Sequence, residues 1–251
     1  MEAVSLKALA SVSPRAFADI LAGPPERAAA WVAAAADHGI VDAQAVYGQY
    51  LLDGHGVARD PAAAFGWFGH AARAGHPMAM NMFGRCYECG WGTAACAPVA
   101  VYWYRLAAQA GLDWGMYNYA TALALGSGID ENRADALDWF RRAAALGHAK
   151  SINLIGGFYE DGWVVPAAVD TAFDHYRRAA EAGDFRGQFN YARLLAERGR
   201  IDEALVWLAR VPATATPAFV AKMRAYLASS PLAALRAAAL RLPSHGMEFE
   251  S

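Results

Sequence analysis

Apolar side chains recur along the chain at three- and four-residue spacing and are interrupted at intervals by Gly, Pro or Asp, which predicts a succession of short amphipathic helices. In the clearest stretch Ala43, Tyr47, Gly48 and Leu51 share one helix face, and that helix ends at Gly54. Gly54 and Gly56 are free to take positive φ, Asp60 is placed to cap the next helix and Pro61 to open it. The second helix is expected to bury Ala64, Trp67, Phe68, Ala71 and Ala72 and to stop at Gly75.

This helix–loop–helix–turn cycle repeats every 36 residues. The Trp series runs Trp31, Trp67, Trp103, Trp139, with His175 in the next slot, and the turn glycines run Gly39, Gly75, Gly111, Gly147, Gly183. Paired alanines keep the step from Ala35 and Ala36 to Ala179 and Ala180. Gly48, Gly84, Ala120, Gly156 and Ala192 place a small residue mid-helix, where a neighbour must come near. The sequence predicts an all-α fold, a stack of five to six helical hairpins with capping helices at its ends.

The pattern small-x4-Gly-x2-Leu/Tyr-x2-Gly-x-Gly-Val, then Asp, Ala, Trp-Tyr/Phe, Ala-Ala and Gly, resembles the Sel1-like repeat of the tetratricopeptide-like superfamily. Complete copies run about 43–76, 77–112, 113–148 and 149–183. The resemblance implies a right-handed α-α superhelical solenoid, and the chain reads as one repeat domain. Residues 1–23 form an N-terminal cap, 24–42 a partial repeat, 43–183 four repeats, 184–212 a shorter tetratricopeptide-like hairpin, and 213–251 C-terminal capping helices and tail, with helical starts near Pro217 and Pro231. Some copies depart from the pattern. Cys96 and Ala168 replace the loop Asp, Asn132 substitutes for it as a cap, and Val164 replaces the second loop Gly, so the fourth loop is expected to change shape.

Composition narrows the function classes. Twenty-two Lys+Arg against 24 Asp+Glu, with no basic block, disfavours nucleic acid and anionic membranes as partners. The N-terminal stretch lacks the uninterrupted apolar run of a signal peptide, and no apolar stretch reaches bilayer length. Three cysteines suit a reducing compartment better than a disulfide framework. The expectation is a cytoplasmic chain, bacterial by its family resemblance, without membrane insertion.

Cys86 and Cys89 form a C-x2-C pair followed by Cys96, with His70 and His76 as the nearest candidate fourth ligands, but free Cys packs readily as a small hydrophobe and a structural reading is favoured. The Sel1-like branch with paired cysteines in each repeat is not matched, since all three fall in one copy. The histidines are dispersed, and no nucleophile elbow, Walker loop or dinucleotide fingerprint is present. No catalytic residue, metal or cofactor is therefore expected, and the chain reads as a non-enzyme.

What remains is the face of each first helix that lines the inner surface of such a solenoid. Counted from the mid-helix small residue, it carries Met78, Asn81, Met82 and Arg85, then Trp114, Tyr117, Asn118 and Thr121, then Lys150, Asn153, Leu154 and Gly157, then Arg186, Phe189, Asn190 and Arg193. Of these, Asn81, Arg85, Trp114, Tyr117, Asn118, Lys150, Asn153, Arg186, Phe189, Asn190 and Arg193 form the expected partner-binding groove. Asn pairs with extended backbone, the cations suit an acidic or carboxylate-bearing segment, and the aromatics are anchors. Asn118 and Asn190 equally suit hydrogen bonds within the repeat. The resemblance implies a scaffold or adaptor gripping a peptide or protein segment, or a regulator that binds and inhibits or activates an enzyme or an envelope or transport component.

Overall fold

The computed structural model describes residues 4–242, and every regular element in them is helical. The chain divides into two compact units, 1–139 and 140–251. The first carries α1 (Leu6–Ser11), α2 (Pro14–Leu21), α3 (Pro25–Asp37), α4 (Val41–Asp53), α5 (Pro61–Arg73), α6 (Pro77–Cys89), α7 (Ala97–Gln109), α8 (Asp113–Leu125) and the start of α9 (Arg133–Ala145). The second holds the end of α9, then α10 (Ala149–Asp161), α11 (Val169–Glu181), α12 (Phe185–Glu197), α13 (Ile201–Arg210), a 3-10 turn at Val211–Ala213, α14 (Pro217–Ala228) and α15 (Ala233–Arg241). The tail expected beyond residue 242 lies outside the described residues.

Each loop inside a repeat is built the same way. Gly54, Gly90, Gly126 and Gly162 end their helices in the left-handed region, where a side chain would be strained. The residue in the loop-Asp slot then ties its own N–H back to the first helix: Asp60 to the Leu51 carbonyl at 2.8 Å, Cys96 to Tyr87 at 2.8 Å, Asn132 to Leu123 at 2.9 Å and Ala168 to Tyr159 at 2.8 Å. Because that bond is backbone to backbone, the loop closes whatever the side chain. The side chain decides only the cap. Asp60 accepts from the Ala62 and Ala63 N–H groups, and Asn132 accepts from Asp135, whereas Cys96 and Ala168 make no cap bond.

The altered fourth loop predicted from Val164 is not found. Val164 adopts φ 53°, beside 66°, 70° and 74° for Gly56, Gly92 and Gly128, so the loop keeps the common shape and the valine carries the strain.

Packing follows from the mid-helix glycines. A Cβ on Gly48 or Gly84 would stand 2.8 Å from the Phe68 or Tyr104 ring, and one on Gly156 would stand 2.6 Å from Tyr176, so glycine there lets an aromatic of the second helix lie against the first. Those aromatics are deeply buried: Phe68, Tyr104 and Tyr176 are 1–3% exposed. Burying each contributes about 1.5–3 kcal/mol. The periodic tryptophans sit shallower than expected. Trp67 and Trp103 are half-buried, and they pack edge-on against Tyr47 at 5.7 Å and Phe83 at 5.1 Å.

In the second unit α14 lies against α12. Phe219 meets Phe185 at 4.8 Å and Phe189 at 5.7 Å, and Tyr226 meets Phe189 at 5.3 Å.

Candidate functional site

The first-helix residues expected to line a groove divide by what they touch. Asn81 and Asn153 are buried, at 3% and 6% exposure. Each offers its Oδ1 to the next first helix: Asn118 donates to Asn81 at 2.8 Å, and Asn190 to Asn153 at 2.9 Å. These amides form a polar floor joining neighbouring repeats, the use that sequence left open for Asn118 and Asn190. Arg193 is engaged too. Its guanidinium clamps both oxygens of Glu160 at 2.5 and 2.7 Å and reaches Glu197 at 3.0 Å. Burial draws its pKa down, but the two carboxylates outweigh burial and the net displacement is upward.

The remaining positions are more open. Met78 and Trp114 are 42% and 39% exposed and occupy the same slot in successive repeats. Trp114 meets the half-buried Tyr117 edge to face at 6.1 Å. Arg85 lays its guanidinium over the Trp91 ring at 4.9 Å. Lys150 is half-buried, and Arg186 is exposed above Phe185 at 4.6 Å. Phe189, expected as an open anchor, is half-buried under Phe219 and Tyr226.

Sequence reasoning missed a second set of polar residues. Tyr104 O–H donates to Glu88 at 2.8 Å, and Tyr176 O–H to Glu160 at 2.7 Å. Burial, reinforced by the carboxylate, holds both phenols protonated well above their ordinary range, so neither acts as a base. The signal was present. Glu88 and Glu160, like Tyr104 and Tyr176, stand 72 residues apart, two periods of the repeat.

The cysteines and histidines have local roles. Cys86 is fully buried and burial pushes its thiol up to about 12, while Cys89 is exposed and Cys96 half-exposed; all three are free. Among the described residues no group of three or more His, Cys, Asp or Glu is close enough to hold a metal ion. His76 and His148 cap first helices, accepting through Nδ1 from Ala79 at 3.1 Å and Ser151 at 3.3 Å, and Asp184 accepts from Gly187 at 2.8 Å. Burial raises the Asp184 pKa against the pull of that N–H. No helix among the described residues is long and apolar enough to cross a membrane.

Comparison with known proteins agrees with this geometry. A Sel1 repeat from Oxalobacter formigenes is 24% identical, with a TM-score of 0.78 over 91% of this chain and 96% of its own. The protective antigen c5321 of uropathogenic Escherichia coli, described as displaying an SLR fold, is 22% identical with a TM-score of 0.70 over 93% of this chain. This chain spans 53% of that protein's length. The immunity protein Pa5087 of Pseudomonas aeruginosa is 16% identical with a TM-score of 0.55, covering 80% of this chain and 83% of that one. No curated protein sequence matches. The Sel1 repeat model matches residues 41–76, 77–112, 115–148 and 149–184, more than half the chain, and the protein belongs to the Sel1 repeat family, with its all-helical solenoid fold.

Proposed function

We propose that this protein is a non-catalytic interaction module that binds a protein segment against the inner faces of α6 and α8. Sel1 repeats generally mediate protein–protein interaction. The observation that carries the reading is the exposed apolar row Met78 and Trp114 beside Tyr117, set over the Asn81–Asn118 floor. Large aromatics with few rotamers, bordered by satisfied amides, are what protein hot spots are made of.

The expected acidic segment is not supported at its strongest point, because Arg193 spends its donors on Glu160 and Glu197. Arg186 is the exposed cation of this face, held above the Phe185 ring. In the second unit, α14 occupies the face that Phe189 was expected to offer, so the first unit carries the reading. Free thiols at Cys86, Cys89 and Cys96 suit a reducing, cytoplasmic setting.

A second reading is a regulator that binds and blocks its partner. It draws on the similarity in fold to a protein described as an immunity protein. Affinity capture by the full chain, followed by titration of the recovered partner, tests both readings. Trp114→Ala and Tyr117→Ala should each weaken binding by about 1–3 kcal/mol with unfolding unchanged. Full affinity in both variants removes this face from the interaction. A partner enzyme whose activity falls on binding favours the regulator.

A further inference from the structure

The same side-chain cluster occurs twice, 72 residues apart, and differs at one position that matters chemically. In the second unit Tyr176 donates to Glu160 at 2.7 Å, Asn190 donates to Asn153, and Arg193 closes the cluster with two bonds to the Glu160 carboxylate. In the first unit Tyr104 donates to Glu88 at 2.8 Å and Asn118 to Asn81 at 2.8 Å, the same residue types in the same contacts. The fifth position is Thr121 where the second unit has Arg193. Its hydroxyl turns away to donate to the Tyr117 carbonyl at 2.8 Å. Leu125, 70% exposed, stands in the slot of Glu197.

The exchange leaves a notch of about 80 Å³ lined by Glu88, Ala100, Tyr104, Asn118, Thr121 and Leu125. Glu88 takes one hydrogen bond, from Tyr104, and faces no paired cation among the described residues. Arg85 lies one helical turn away but stacks over Trp91. A carboxylate held by a buried tyrosine, with its other lone pairs open, is the acceptor that a planar guanidinium fits with two parallel bonds. Asn118 Oδ1 is a further acceptor on the rim. Leu125 offers an apolar wall for a methylene stem, since long cations bury their stems while the charge stays solvated.

We propose that the Glu88 notch is a docking subsite for an arginine side chain of the protein partner, seated as Arg193 is seated on Glu160. It rests on the interaction-module reading and deepens it, fixing the charge at one point of the bound segment as positive. Arginine is favoured over lysine because an ammonium makes one point contact where a guanidinium makes a paired one.

Two measurements on the full chain test this. Thr121→Arg places the missing guanidinium intramolecularly, and it should raise Tm by about 2–4 °C, a gain that disappears in a Glu88→Gln background. No coupling between the two substitutions shows that the notch does not accept a guanidinium and overturns the proposal. In amide-detected NMR, N-acetyl-L-arginine amide should give saturable shifts at Thr121 and Ser127, with N-acetyl-L-leucine amide giving none. Glu88→Gln and Thr121→Arg should each weaken that binding at least about tenfold, while Trp114→Ala leaves it intact. Shifts that do not saturate, or that survive Glu88→Gln, overturn the subsite. The interaction face itself stands or falls separately, on partner affinity in Trp114→Ala.

Discussion

Asn190 donates its side-chain N–H to the carbonyl oxygen of Asn153, one repeat earlier, at 2.9 Å, and Asn153 is 6% exposed. Removing the donor leaves a buried carbonyl without its partner, which costs about 1–3 kcal/mol. Asn190→Ala is therefore expected to lower stability in denaturant titration by that amount. Asn190→Asp should cost more, since it sets an ionised acceptor against an acceptor. A stability unchanged in both variants would mean that water replaces the bond freely.

Val164 holds φ 53° in a loop where three other repeats have glycine. A β-branched side chain in the left-handed region costs about 1–2 kcal/mol, and glycine returns roughly half of that as unfolded-state entropy. Val164→Gly should stabilise the protein by about 0.5–1 kcal/mol, read as a higher midpoint of chemical unfolding. A loss of stability would show that the exposed valine side chain packs favourably enough to outweigh its backbone.

The same comparison across repeats explains what was legible in the sequence. The helices, the Gly54-type ends and the Asp60 cap follow from local rules, and each repeat restates them, as it restates the mid-helix small residue where a neighbour comes near. Cys96 and Ala168 read as departures because the cap is a side-chain bond, but the backbone bond from the same residue, invisible in sequence, keeps the loop closed. The groove was legible only as a face. That Asn81 would be buried and Arg193 neutralised depends on partners at 37 and 33 residues' separation, Asn118 and Glu160, which periodicity alone does not pair. The covering of Phe189 by α14 lay outside the repeat register altogether.

Restoring the missing caps should therefore add stability without altering the loops. The backbone at Cys96 (φ −150°, ψ 96°) and Ala168 (φ −150°, ψ 86°) is close to that at Asp60 (φ −140°, ψ 90°). Cys96→Asp and Ala168→Asp should each stabilise by about 1 kcal/mol. They should act additively, because they lie in separate loops. Thermal unfolding of the single and double variants checks both the sign and the additivity.

His175 stands in the slot of the periodic tryptophan, stacked on Tyr159 at 5.7 Å with its Nδ1 buried and unpartnered. Burial holds its pKa below 6.5, Arg178 and Arg141 add to the depression and Asp174 opposes it. The folded chain thus binds this proton less readily than the unfolded chain. Its contribution is whole above about pH 6.5 and is lost as pH falls through the depressed folded value. His175→Trp should flatten this acid loss, and Tm measured at about pH 7.5 and pH 5 should then differ less than in the parent. An equal difference in both proteins would assign the acid sensitivity to other groups.

Gly66 and Gly156 both lie inside helices, where alanine is intrinsically better by about 1 kcal/mol. Their surroundings send the same substitution in opposite directions. A Cβ on Gly66, exposed on α5, meets nothing within 4 Å. Gly66→Ala should therefore stabilise by about the full propensity difference. A Cβ on Gly156 would stand 2.6 Å from the Tyr176 ring, and that ring cannot easily move, being 3% exposed and tethered through its hydroxyl to Glu160. Overpacking of this kind costs about 1–3 kcal/mol, which exceeds the helical gain. Gly156→Ala is expected to destabilise by about 1–2 kcal/mol, and Gly156→Ala with Tyr176→Phe, which cuts the tether, should recover part of the loss. If Gly156→Ala instead stabilises as Gly66→Ala does, the close approach of ring and helix is looser than these distances describe.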